Sequence, residues 1–166
     1  MENIFISAGS NLGDRRTNLE KALVMLGMKG VLLRRQSSVF ETEPVGFRDQ
    51  PWFLNMAVEV ETQMSASDLL GVCLEVEMLH GRVRAFQDAP RTLDLDILFF
   101  GNLVIRMDGL RIPHPRLAER RFVLEPLAQI APEFVHPLLG VTVSRLLATC
   151  SDKAMVRPFI PGDASR

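Results

Sequence analysis

Phe53-Leu54-Asn55-Met56-Ala57-Val58-Glu59-Val60-Glu61-Thr62, residues 53–62, is a plainly alternating stretch of the chain. Leu54, Met56, Val58 and Val60 share one face, and Phe53, Asn55, Ala57 and Glu59 the other, so the period of two predicts a β-strand. Just downstream, Ser65-Ala66-Ser67-Asp68 offers an N-cap for a helix through about Leu79, ended by Gly81. Val83 to Pro90 breaks the pattern, and the run Pro90-Arg91-Thr92-Leu93-Asp94-Leu95-Asp96-Ile97-Leu98-Phe99-Phe100 reads as a second strand. Upstream the same order occurs. Asn3 to Ser7 is a compact strand, Gly9-Ser10-Asn11-Leu12-Gly13-Asp14 a turn, Thr17 to Gly27 a helix striped by Leu19, Ala22, Leu23 and Leu26, and Val31 to Phe40 a strand.

Two consecutive strand–helix–strand units predict an α+β, ferredoxin-like βαβ-βαβ antiparallel sheet with helices on one face. Short helices over Phe122 to Ile130 and Val143 to Thr149 add a C-terminal helical extension. Gly101-Asn102 marks a turn from which Leu103-Val104-Ile105 is expected to pair back as a hairpin. No repeat or linker interrupts residues 1–166, which read as one domain.

The second strand carries the chemistry. With Leu93, Leu95 and Ile97 on one face, Asp94 and Asp96 share the other, roughly 6.6 Å apart at Cα from about 3.3 Å of rise per residue. Such a pair can converge on hard cations; it can also be the solvated face of an amphipathic strand. Asp is depleted in strands, and like charges on one face repel unless a cation lies between them. Between positions 82 and 121 the chain has eight arginines and no lysine, out of sixteen Arg and three Lys in total. Arginine's planar fork binds phosphate oxygens in pairs, so an arginine cluster bracketing two aspartates points to a polyphosphate with its metal ions.

Composition narrows the classes. Hydrophobic content of 47%, charged content of 23% and a net charge of −1 suit a globular protein and argue against a general nucleic-acid or membrane-surface binder. Cys73 and Cys150 have no metal-like spacing and read as reduced thiols. With no leader-like start and no membrane-length apolar run, a cytoplasmic protein is expected. The Gly9–Gly13 turn lacks the Walker and dinucleotide patterns and reads as structural.

In order along the chain, Gly9-Ser10-Asn11-Leu12-Gly13, Ser38-x-x-Glu41-Thr42-x-Pro44-x-Gly46, Phe53-x-Asn55, Glu77 and Gly81-Arg82-Val83-Arg84 are followed by Pro90-Arg91-Thr92-Leu93-Asp94-Leu95-Asp96. Pro113-His114-Pro115-Arg116 and Arg120-Arg121-Phe122-Val123-Leu124-x-Pro126-Leu127 complete the set. This closely resembles the 6-hydroxymethyl-7,8-dihydropterin pyrophosphokinases (HPPK) of folate biosynthesis. The resemblance implies transfer of pyrophosphate from ATP to the pterin hydroxymethyl group, releasing AMP. It implies ATP and hydroxymethyldihydropterin as ligands and two Mg²⁺ ions held by Asp94 and Asp96; a monomer is expected.

By the same resemblance, Arg82, Arg84 and Arg91 bind the triphosphate, with Arg82 and Arg91 stabilising the transition state. His114, Glu77 and Arg120 belong to the nucleotide side. Asn55 reads the edge of the pterin, Phe53 and Phe122 flank its ring, and Thr42, Pro44 and Val45 supply the loop around it. Segments 43–51 and 83–90 are expected to close over the ligands. Leu74, Ala85 and Asp88 depart from common family residues, which leaves a diverged binding protein with little turnover as the alternative. An unrelated Asp-x-Asp transferase acting on a nucleotide-sugar would leave Asn55 and the phenylalanines unexplained.

Overall fold

The computed structural model describes residues 2–81 and 86–162. Strand β1 (Ile4–Ser10) is followed by α1 (Arg15–Met28), β2 (Leu32–Gln36), β3 (Phe40–Thr42), β4 (Phe53–Glu61) and α2 (Ala66–Leu79). Then come β5 (Asp94–Phe100), the short β6 (Ile105–Met107) and β7 (Leu110–Ile112), a 3₁₀ turn at Leu117–Glu119, α3 (Arg121–Ile130), α4 (Val143–Ala148) and β8 (Val156–Pro158). The main sheet has the order β5-β1-β4-β3-β8, and β2 also pairs with β4. Every pairing in it is antiparallel. With β2 and β3 sharing the second-strand role, this is the expected ferredoxin-like arrangement.

Local chemistry sets the helix starts. Asp14 accepts the Thr17 N–H at 3.1 Å and Ser65 the Asp68 N–H at 3.1 Å, so each crossover helix begins on a side-chain cap. The alternation in β4 becomes a two-sided core. Leu54, Met56, Val58 and Val60 pack with Leu19 and Leu26 of α1 and Leu69, Cys73 and Val76 of α2. Ala57 faces the other way, into a cluster with Phe5, Phe99, Leu124, Leu127 and Leu146. The two crossover helices thus share one face, and the C-terminal extension covers the opposite one.

β5 carries a bulge that serves both cores. Phe5 pairs with Phe99 but Ile6 with Ile97, leaving Leu98 as the extra residue. Ile97 and Phe100 therefore enter the α1/α2 core while Leu98 and Phe99 enter the α3/α4 core.

Two details differ from the expectations. Residues 103–105 do not fold back onto β5; β6 pairs with β7 instead. The outer edge of β5 is already occupied, since the Leu95 N–H donates to Glu77 Oε2 at 2.8 Å and the Leu98 carbonyl accepts the His114 N–H at 3.0 Å. Strand β8 was not expected at all. It extends the sheet beyond β3, where the Arg157 guanidinium pairs with Glu41 at 2.8 Å and lies 4.5 Å from the centre of the Trp52 ring. Among the described residues no helix is long and apolar enough to cross a membrane.

Candidate active site

The register of three neighbouring strands builds the floor of the site. Gly9 of β1 pairs with Asn55 of β4 on one side and with Asp94 of β5 on the other, and Ser7 pairs with Asp96. Residues opposite each other in register point to the same face, so Asn55 and Asp94 lie on one surface, two strand spacings or about 10 Å apart. Glycine is required between them, because a Cβ at position 9 would lie 2.5 Å from Asn55 Oδ1. The Asn55 amide donates to Thr42 Oγ1 at 2.6 Å, which fixes its orientation.

Above this floor lie two adjoining cavities. The first is lined by Thr42, Val45, Phe53, Asn55 and Phe122, the expected pterin set apart from Pro44. Pro44 is buried, and its neighbours Glu43, Val45 and Gly46 face the cavity. The second contains Asp96, His114 and the 86–90 segment. Asp88, Arg91, Asp94, Arg116 and Arg120 line both. Aromatic walls thus lie on one side, the aspartate pair on the other, and three arginines at the junction.

Each flanking phenylalanine carries a guanidinium. Arg91 lies 4.9 Å from the centre of the Phe53 ring and Arg120 5.6 Å from that of Phe122. Arg91 also places Nε 3.4 Å from Asp94 Oδ2, and its Nη1 donates to the Ala89 carbonyl at 3.1 Å. The Nε approach lacks hydrogen-bond geometry. That N–H is buried and has no hydrogen-bond partner among the described residues. Burial, then the neighbouring Arg116, pulls the Arg120 pKa down, while Asp96, Asp94 and Asp88 act against that shift. The carboxylates and arginines therefore form one mutually compensating cluster.

His114 is neutral at physiological pH. Burial first, and Arg120 next, push its pKa down to about 4, with Asp94 acting in the opposite direction. Its Nδ1 accepts the Arg116 N–H at 3.2 Å, so in the neutral ring Nε2 carries the proton and can donate. Glu77 is not brought into either cavity. It is 3% exposed, and its carboxylate holds the Leu95 N–H between the two aspartates. Arg82 and Arg84 lie outside the described residues. Arg116, Asp88 and Gly46 were not among the expected site residues. Arg116 was visible as part of the arginine cluster, whereas Asp88, with φ of 59°, and Gly46, with φ of 83°, are placed by loop geometry.

Among the described residues no group of three or more His, Cys, Asp or Glu side chains is arranged to hold a metal. Two carboxylates on one strand face fit Mg²⁺, which takes one or two carboxylates and fills its remaining positions with water and substrate phosphates.

Residues 5–132 match the family model described as 7,8-dihydro-6-hydroxymethylpterin-pyrophosphokinase. The chain belongs to the HPPK family. It is 46% identical over 135 residues to the 2-amino-4-hydroxy-6-hydroxymethyldihydropteridine pyrophosphokinase of Bacillus subtilis, covering 80% of this chain and 81% of that one. It is 37% identical over 158 residues to the protein of the same name from Methylorubrum extorquens, covering 95% and 99%. The folic acid synthesis protein fol1 of Pneumocystis carinii is 37% identical over 160 residues, and there the HPPK-like chain spans only 22% of the longer protein. The wild-type HPPK-DHPS structure of Plasmodium falciparum with SDX-DHP superimposes with a TM-score of 0.69 at 18% identity, over 88% of this chain and 43% of that one. At that identity the likeness speaks for the fold.

Proposed function

We propose that the chain transfers a pyrophosphoryl group from ATP to the hydroxymethyl oxygen of 6-hydroxymethyl-7,8-dihydropterin, releasing AMP. The observation that carries this reading is the shared wall: Arg91, Asp94, Arg116 and Arg120 each line both cavities. A flat heterocycle held between Phe53 and Phe122, with its edge on Asn55, directs an exocyclic hydroxymethyl toward that wall. A triphosphate in the second cavity reaches the same wall from the other side. In-line attack on the β-phosphorus forms the new P–O bond as the bond to the α-phosphate oxygen breaks, and AMP departs.

In this reading Asp94 and Asp96 hold two Mg²⁺ ions, which neutralise triphosphate charge when bound. Arg91, which lines both cavities, turns its guanidinium to the transferring group, where fixed donors aimed at developing charge have their largest effect. The neutral His114 serves as a hydrogen-bond donor to the nucleotide. It is not arranged as a general base, because Nδ1 is engaged by the Arg116 N–H. Both hydrophobic clusters are built on the same sheet, which supports reading the chain as one functional unit.

The test is direct. Protein, Mg²⁺, ATP and hydroxymethyldihydropterin are mixed, and AMP and pterin diphosphate are expected in equal amounts. Binding of both ligands with no AMP would assign a binding protein instead, and AMP formed without pterin dependence would assign a different transferase.

A further inference from the structure

Asn11 directly follows β1 and is 2% exposed, yet it lines neither substrate cavity. Its hydrogen bonds run in two directions. Its backbone N–H donates to the Arg91 carbonyl at 3.0 Å, and its Oδ1 accepts the Arg91 N–H at 2.8 Å. Its Nδ2 donates to Gln50 Oε1 at 2.8 Å and to the Pro51 carbonyl at 2.9 Å. Gln50 carries the connection onward, since its Nε2 donates to the Phe47 carbonyl and, at 2.9 Å, to the Asp88 carbonyl. Beyond it, the Phe47 and Phe86 rings meet edge to face at 5.2 Å.

We propose that Asn11 and Gln50 are positioning residues. They form a two-amide bridge that holds the pterin-side loop, the 86–90 segment and the start of the aspartate-bearing strand in one register. Three facts support this. Asn11 takes both backbone groups of Arg91, the residue that brings the guanidinium over Phe53 and against Asp94. Gln50 joins carbonyls from two segments that share no other backbone hydrogen bond among the described residues. Asp88 is held with positive φ, a conformation that costs a non-glycine residue free energy and needs surrounding restraint. A shift of the 43–51 loop is therefore transmitted to Asp88 and Arg91 on the opposite side of the site. The catalytic consequence rests on the proposed pyrophosphoryl transfer; the coupling does not.

Gln50→Glu separates the bridge from mere turn formation. The carboxylate still accepts from Asn11 but cannot donate to Phe47 or Asp88, and it sets a charge against both carbonyls. We expect kcat to fall about 10- to 100-fold, the scale of a misplacement of about 1 Å, while the ATP KM moves less than about threefold. In the ligand-free protein, hydrogen exchange should quicken about tenfold or more in 86–90 together with 44–49. Asn11→Asp keeps the acceptor for the Arg91 N–H, so protection at the Arg91 amide should survive; Asn11→Ala should lose it. The proposal is overturned if Gln50→Glu quickens exchange only in 44–49, or if it turns over at the wild-type rate. Should the wild type itself release no AMP, the proposed activity fails and the exchange result alone judges the coupling.

Discussion

The two cavities share a wall and differ in almost everything else. The pterin-side cavity is small, about 70 Å³, and is set by strand register: Asn55 on β4, Gly9 beside it, and Phe53 at the strand's start. The nucleotide-side cavity is about 460 Å³, is open to solvent, and is lined by the 86–90 segment, Asp94 and Asp96 of β5, and residues of the 114–120 turn. Sheet residues are restrained by ladder hydrogen bonds and by core packing on both faces. Loop residues depend on a few side-chain tethers such as Asn11 and Gln50. In the proposed reading a flat ring meets strand-borne Asn55 and Phe53 in a cavity completed by loop residues Val45, Gly46 and Asp88, whereas the triphosphate meets Asp94 and Asp96 of β5 together with residues of the 86–90 segment.

The largest break expected in this contrast is at the aspartates. Asp94→Ala or Asp96→Ala should cut turnover by about 1,000-fold or more, because charge neutralisation at the phosphates is worth several kcal/mol. The melting temperature in metal-free buffer should change little, since relief of like-charge repulsion on the strand face is offset by loss of a carboxylate beside the arginines. A sharp fall for both variants would make the pair structural.

Arg91→Ala tests the shared wall next. It should lower kcat about 100-fold while raising the ATP KM far less, since Arg116 and Arg120 remain to bind the ground state. Arg91→Lys should recover little, because an ammonium lacks the planar fork. A change confined to KM would make Arg91 a uniform binding contact and leave Arg82 as the stronger catalytic candidate.

Glu77 sharpens the contrast from beneath. Glu77→Ala leaves the buried Leu95 N–H without its acceptor and should cost about 1–3 kcal/mol of stability, measured by denaturant unfolding. Glu77→Gln retains an acceptor and should lose much less. If Glu77→Ala weakens nucleotide binding with stability unchanged, the residue contacts ligand after all.

The smallest expected effect is a pH dependence at His114. The unfolded chain takes up this proton near the ordinary value of 6.5, the folded chain only near 4. The unfolded state therefore binds more protons between those values, and His114's contribution to stability is lost progressively as pH falls from about 6.5 to about 4. Wild-type melting temperature should decline over that window more than that of His114→Gln. Parallel curves would show that the imidazole does not stay neutral.

Much of the architecture was legible because it follows from alternation and capping. The faces of β4, the Ser65 cap and the placement of Asp94 and Asp96 opposite Leu93, Leu95 and Ile97 all appear as expected. What was not legible involved partners distant in sequence. The 103–105 segment could not pair onto β5 because Glu77 and His114 had taken that edge. Strand β8 joins the sheet more than one hundred residues after β3, with Glu41 bridging to Arg157. Glu77 matched a nucleotide-side position in the motif order, yet helix packing turned its carboxylate onto the Leu95 N–H.

Side-chain periodicity and motif order are properties of the chain itself, and they carried the fold class, the family, most residues of the first cavity and the charged centre of the second. Which of those residues meet was decided by packing. Strand register puts Gly9 between Asn55 and Asp94, and the fold brings Arg116 and Asp88 to the wall that both cavities share. Register, burial and long-range hydrogen bonds arise only when distant segments compete for the same edges and cores. No local pattern contains that competition.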